Sequence, residues 1–394
     1  MATINPKFTP TCLTLLQNLE DGIINTSATK VEIGTSAATK IAIGSGAGVT
    51  NQDVGGIALG TSAGATTQGG DTVAIGTSAG TTTQGIEAVA IGNQSGKTTQ
   101  GDYSVAIGSE AGETTQATYS VAIGNLAGNS AQGTCSVAIG IEAGATTQGA
   151  RSVAIGDTAG SFTQGGNAVA IGRNAGVTSQ GAQSVSIGYN AGNNTQGTYS
   201  VGMGFEAGKT TQGDYSVAIG ESAGLTSQST NCVAVGSGAG KTTQSQQAVA
   251  IGKNSGVTTQ GFGGVAVGTN AGQTTQGVYS TAVGWSAGVT SQGAYSVAVG
   301  NLSGNTTQGT NAVAIGNEAA KTAQGANSIA IGYKAGMTSM EPNSIILNAS
   351  GTELLTIAAS AFCVKPIRSV ASPYTGSYVM YYNPTTSEIR YSTT

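Results

Sequence analysis

The chain has 394 residues, 64 of them glycine, with charge on only 8% of its residues and a formal net charge of −4. Six prolines without a Gly-X-Y period exclude collagen, and 14 scattered Lys and Arg leave no basic stripe for nucleic acid. The absence of any histidine removes the commonest general base, the usual nucleophile triads and most zinc sites, so no catalytic residue, metal site or cofactor is expected and an enzyme is not.

Residues 1–30 stand apart. Leu13, Leu16 and Leu19, with Ile23 and Ile24, form a short apolar pattern that reads as an N-terminal attachment or cap segment. Met1-Ala-Thr-Ile lacks a basic stretch leading into an apolar run, so no classical signal peptide is expected. No stretch approaches eighteen apolar residues, so no membrane insertion is expected either. Residues 31–40 read as one shorter, ten-residue unit.

From Ile41 the sequence Val-Ala-Ile-Gly, or a close variant, returns every sixteen residues, at Ile57, Val73, Val89, Val105 and onward to Val313, Ile329 and a degraded Ile345. Residues 31–344 therefore form one repeat shaft, regular from 41. Residues 345–394 leave the period and read as a β-rich cap. Within it the run Tyr378–Tyr391 is broken by Asn383-Pro384-Thr385-Thr386 and predicts a hairpin.

A fixed interval of this length makes each copy one coil of a solenoid stacked on near-identical neighbours. Numbering the coil from Val-Ala-Ile-Gly, positions one to three form a strand. Val73 and Ile75 then share one face and Ala74 takes the other. Position four is always Gly, including Gly76, Gly92, Gly108 and Gly124, as a corner with positive φ or a close backbone approach requires. Position eight is Gly except at Ala320, a second bend that tolerates a methyl. Thr or Ser at positions ten and eleven predict a second strand with adjacent side chains on opposite faces. Position twelve is Gln, as at Gln68, Gln84, Gln100 and Gln116, and predicts a coil-to-coil amide ladder. Tyr at position fifteen reads as an exposed turn aromatic stacking on its neighbour, or as a carbohydrate-contacting strip.

Sixteen residues leave room for two strands of about four or five residues and a thin interior suited to Ala. The Val/Ile face must then be buried elsewhere, because an unbroken stripe of it exceeds the few hundred Å² that a soluble monomer exposes. Three such faces around a common axis solve this. The expected self-association residues are Val73, Ile75, Val89, Ile91, Val105, Ile107, Val121, Ile123, Val217 and Ile219. The alternative places Val and Ile inside a monomeric solenoid and Ala outside. Coils at about 4.7–4.9 Å give a rod of about 90 Å. Carboxylates recur near position six at Glu110, Glu142, Glu206, Glu221 and Glu318 and read as solvated corners. Cys12, Cys135, Cys232 and Cys363 show no paired spacing and read as single thiols.

Ser104-Val-Ala-Ile-Gly and its copies resemble the head repeat of YadA-type trimeric autotransporter adhesins over about residues 41–344. That resemblance implies a left-handed parallel β-roll in a homotrimer with Val and Ile toward the shared centre. The coils here are a residue or two longer than the family's, and its secretory signal and membrane-barrel anchor are not recognised. The Thr-Thr-Gln-Gly form and the Asn343-Ser-Ile-Ile-Leu-Asn-Ala and Tyr-Tyr-Asn-Pro-Thr-Thr-Ser-Glu-Ile segments resemble fibre-like proteins of large DNA viruses and phages. The function these resemblances imply is a structural fibre on a virion or phage surface. Its expected partners are its own copies, a capsid or fibre-base protein at one end, and a host surface receptor or glycan. An ice-binding solenoid and a bacterial surface adhesin are the alternatives.

Overall fold

The computed structural model describes residues 25–27, 30–32, 40–368 and 379–392. Among these residues every regular element is a strand, and the repeats form a parallel β-solenoid. The strand Val105–Ile107 pairs in register with Val89–Ile91 before it and Val121–Ile123 after it, so Val stacks on Val, Ala on Ala and Ile on Ile. The second strand of each coil does the same, Thr99–Gln100 lying between Thr83–Gln84 and Thr115–Gln116. Both sheets are open stacks in which each strand bonds only to the coils directly before and after it.

The strands are shorter than the expected four or five residues. The first has three residues and the second has two. The corners consume the rest, because each coil reverses direction through several residues in left-handed backbone. In the coil that begins at Val105 these are Gly108 (φ 131°), Glu110 (57°), Gly112 (56°) and Tyr119 (59°). Glu110 and Tyr119 have a Cβ and no steric relief of their own. Their amides donate to the preceding coil, to Asn93 O at 2.8 Å and Asp102 O at 3.0 Å, which holds the conformation.

The two glycine corners differ in kind. At Gly108 a Cβ would stand 2.5 Å from the carbonyl oxygen of Gly124 in the next coil, and φ lies where L residues are rarely found. At position eight φ is near 55°, a region a methyl-bearing residue reaches at modest cost, and Ala320 occupies it at φ 46°.

The interior is one row of Ala from position two and one from position seven, both fully buried, as at Ala106, Ala111, Ala122 and Ala127. Val105 and Ile107 point the other way and are half-buried. The reverse arrangement, with Val and Ile inside and Ala outside, is therefore excluded.

The stack continues past residue 344. Ile345–Asn348 pairs with Ile329–Gly332, and Phe362–Lys365 pairs with Ile345–Asn348 one longer coil further on. Here the interior widens. Ile346 stands in the Ala column and Met340 in the Gln column, packed with Ala335 and Leu354. Val379–Asn383 and Glu388–Ser392 pair as an antiparallel hairpin, whose turn is held by Asn383 Oδ1 accepting from the amides of Thr385 and Thr386. At the other end Asn25–Ser27 pairs with Lys30–Glu32. The apolar pattern Leu13–Ile24, Cys12 and most of the ten-residue unit lie outside the described residues.

The two corners predict unequal sensitivity to the same substitution. Gly108→Ala should cost roughly 2–4 kcal/mol, from overpacking on the next coil plus an unfavourable φ. Gly112→Ala should cost about 1–2 kcal/mol, the left-handed penalty plus a small shift of the Gln116 amide, whose Oε1 would stand 2.9 Å from the new Cβ. Thermal melts of the two variants decide the matter, and equal melting temperatures would contradict the assignment.

Candidate functional site

The interior determines which face the rod offers to a partner. Gln84 Nε2 donates to Val73 O at 2.9 Å and to Ala88 O at 3.2 Å, so each Gln ties the second strand of its coil to the start of the first. Gln68, Gln100 and Gln116 make the same bond to Ile57, Val89 and Val105, each at 2.8 Å. Amide-to-amide bonds between coils come second. Gln100 donates to Gln116 Oε1 at 3.1 Å, and Gln148, Gln164 and Gln180 form a run with both links at 3.1 Å. Elsewhere the ladder lapses, and Oε1 of Gln68, Gln84 and Gln132, among others, is buried without a hydrogen-bond donor. These oxygens lie against the position-eight glycine, since a Cβ on Gly80 would come within 2.9 Å of Gln84 Oε1. The bare Cα there leaves room for a weak C–H···O contact. The strand-tying bond was missed in the sequence, although a long amide in an otherwise alanine interior signals a need to reach across it.

Position sixteen closes the opposite corner. Ser104 Oγ donates to Gly101 O at 2.5 Å, and Ser136 Oγ to Gly133 O at 2.6 Å. Cys232 replaces this Ser, its Sγ lying 3.0 Å from Ser245 O, and burial raises its thiol pKa. Cys135 and Cys363 are also unpaired.

With Ala, Gln and Ser filling the inside, Val73, Ile75, Val89, Ile91, Val105, Ile107, Val121, Ile123, Val217 and Ile219 all lie on one outer face. They are half-buried by their own neighbours, and Ile219 is 38% exposed. Ile345, Leu347, Phe362 and Val364 extend the same two columns. At about 4.8 Å per coil and 3.3 Å per strand residue, the stripe covers on the order of 700 Å² in projection. A soluble monomer rarely exposes that much contiguous apolar surface, and it is close to the ~800 Å² that one partner buries in a stable interface.

Position fifteen forms one edge of this face, with the stacked pairs Tyr103–Tyr119 (ring centroids 5.0 Å apart), Tyr199–Tyr215 (5.1 Å) and Tyr279–Tyr295 (5.6 Å). Position five forms the other edge. Tyr189 stacks there on Phe205 at 5.3 Å, and Arg173 lies over the Tyr189 ring at 5.8 Å.

On the far side of the rod, Thr82 and Thr83 are both exposed, as are Thr98 and Thr99 and most of their counterparts. The expectation that adjacent Thr point to opposite faces is corrected here. Position ten lies in the bend before a two-residue strand, and only Gln at position twelve turns inward. Of the corner carboxylates, Glu206 accepts from Lys209 Nζ at 2.6 Å, a hydrogen bond that lowers its pKa from the ordinary carboxylate value, and Glu318 is held down likewise by Lys321.

The family model described as YadA head domain repeat (two copies) matches residues 84–111, 131–159, 164–191, 276–303, 303–319 and 308–335. Those segments of the chain carry YadA head domain repeats. The match at 84–111 starts on Gln84 and takes in the two strands Val89–Ile91 and Val105–Ile107, so the two-copy model spans two of the coils described above and one family repeat corresponds to one coil. No curated protein matches the chain, and no solved structure does. YadA head repeats are a structural, adhesin-type fold and not an enzyme family.

The interior assigns a specific cost to each glutamine. Gln148→Ala should leave Val137 O without its donor and remove the link to Gln164, costing about 1–3 kcal/mol, while Gln148→Met, which copies Met340, should cost less. Chemical denaturation should rank the variants in that order. An Ala variant as stable as the parent would show that the amide does not tie the strands.

Proposed function

We propose that this chain is the shaft of a homotrimeric surface fibre, in which three Val/Ile faces close around a common axis. The observation that carries the reading is the continuous apolar stripe, left outside by an interior too thin to hold it. Closed cyclic symmetry is the usual way identical chains cover one repeated patch. The matched repeats support an extracellular or surface setting and an adhesin-type role. The Thr-Thr-Gln-Gly form of the coil and the terminal hairpin favour a virion or phage fibre over a bacterial surface adhesin. In that setting one end docks on a capsid or fibre-base protein, and the rod presents its outer sheet toward a host receptor or glycan.

Light scattering should give three times the 38.3 kDa chain mass. Ile107→Asp with Ile123→Asp should lower that mass toward one chain while the far-ultraviolet dichroism stays β-type. A parent protein that scatters as a single chain removes the trimer. Labelling of intact particles with antibody, viewed by electron microscopy, tests the virion setting, and particles without label would remove it.

A second reading, an ice-binding solenoid, is favoured by one observation: both Thr rows of each coil face solvent on a regular surface. It predicts thermal hysteresis that Thr82→Lys with Thr98→Lys reduces. A freezing point that does not separate from the melting point at high protein concentration sinks it.

A further inference from the structure

Identical coils create a register problem for any assembly made through the Val/Ile face. Slipping one chain by a whole coil along its neighbour puts Val and Ile columns back on Val and Ile columns. The stripe therefore holds the chains together without saying at what height.

The two edges of the face are not uniform along the rod. In the coils covering residues 185–216, one edge carries the stack Tyr189–Phe205 and the other the stack Tyr199–Tyr215. Five coils on, one edge carries Trp285 and the other Tyr279–Tyr295, with Phe262 edge-on to Tyr279 at 5.3 Å. These rings are exposed within one chain, Trp285 at 51% and Phe205 at 49%. The stacked pair Tyr103–Tyr119 faces only Asn93, Ser109 and Asn125 across the face, so it takes no part.

We infer that these aromatic zones are two girdles in which the position-five edge of one copy of this chain meets the position-fifteen edge of the next, fixing the axial register of the assembly. The inference rests on the trimer proposed above. Rotation about a three-fold axis brings opposite edges of the same face together, a heterologous contact that closes. Residues at positions five and fifteen of the same or adjacent coils then differ in height by less than one coil, about 4.8 Å. Ring faces meet at centroid separations of about 4.5–7 Å, so the girdles fit this spacing. A slip of one coil unpairs about half of each two-coil girdle, and a slip of two unpairs all of it. The aromatic side chains in the two zones therefore discriminate one alignment among many that the stripe allows.

The test is cysteine crosslinking in the full chain with Cys12, Cys135, Cys232 and Cys363 each changed to Ser. Tyr215→Cys with Phe205→Cys, positions fifteen and five of one coil, should oxidise to a band of trimer mass on a non-reducing gel. Within one chain the two positions lie on opposite edges of the Val/Ile face, roughly 15–20 Å apart at 3.3 Å per residue. A disulfide requires Cα atoms within about 7 Å, so the bond has to form between chains. Tyr215→Cys with Ser237→Cys, which mimics a slip of two coils, should not crosslink. Equal crosslinking of the two pairs would overturn the register inference while leaving the trimer intact.

Trp285 is the only tryptophan, so the unmodified protein supplies a second readout. Acrylamide should quench it several-fold less in the assembled protein than in the Ile107→Asp, Ile123→Asp variant. A trimer by light scattering whose Trp285 is quenched as freely as in that variant would mean the aromatic edges face outward, toward a ligand such as a glycan, and the inference fails. A chain that scatters as a monomer fails the underlying trimer instead, so the two failures are distinguishable.

Discussion

The constraint on which the rest depends is the thinness of the coil. Sixteen residues, several of them spent on left-handed corners, close a loop whose two strands approach until little beyond a methyl group fits between them. Ala106 and Ala111 fill that space, and Gln116 is admitted only because its amide spans it to reach Val105 O. Once the interior is taken, Val105 and Ile107 have no place inside their own chain. A core of alanine excludes water without burying much apolar area per residue, at about 25 cal/mol per Å². The backbone ladders supply order along the rod, and the largest apolar side chains remain available for association.

This inverts the relation usual in a globular domain, where the largest apolar groups make the core and the surface is left to polar ones. Here the column of buried glutamines is the largest interior group along most of the rod, and its stabilising effect is local. Each amide ties the start of one strand to the end of another within a coil, and only some extend the bond to the next coil. Contacts between coils instead run through the backbone and through the Gly108-to-Gly124 approach, which keeps successive corners in contact. Stability is therefore close to one-dimensional, a sum of coil and neighbour terms, and a single corner defect acts locally.

Much of this was legible in the sequence because the period removes ambiguity. Strict recurrence of Val-Ala-Ile-Gly fixes the register, and alternation of Val73, Ala74 and Ile75 assigns their faces. The need for Gly at position four follows from a corner that stacks on its own copy. What the sequence did not show was how much of the coil the corners use. Glu110 and Tyr119 do not look like left-handed residues, yet their amides bond to the coil below and hold them there. With only two residues in the second strand, the alternation argument for the Thr pair failed, because it applied a strand rule to a bend. The donor from Gln84 to Val73 O was hidden for a related reason. It joins positions eleven residues apart in a closed loop whose shape the period alone does not define.

Repetition also leaves the ends to be solved separately, since a stack of open sheets pairs with anything that extends it. The chain changes composition where this matters. In the last coils Met340 and Ile346 replace the slender Gln and Ala, widening the interior so that it no longer matches a standard coil. Among the described residues Phe362–Lys365 pairs only with Ile345–Asn348, and the next residues are Pro366 and Arg368, a missing donor and a charge at the edge. A further coil of the same kind would have to pair with a strand that borders a wider interior and is followed directly by proline. Among the described residues the last paired strand thus differs from the shaft in the same two variables that build it, interior width and backbone donors.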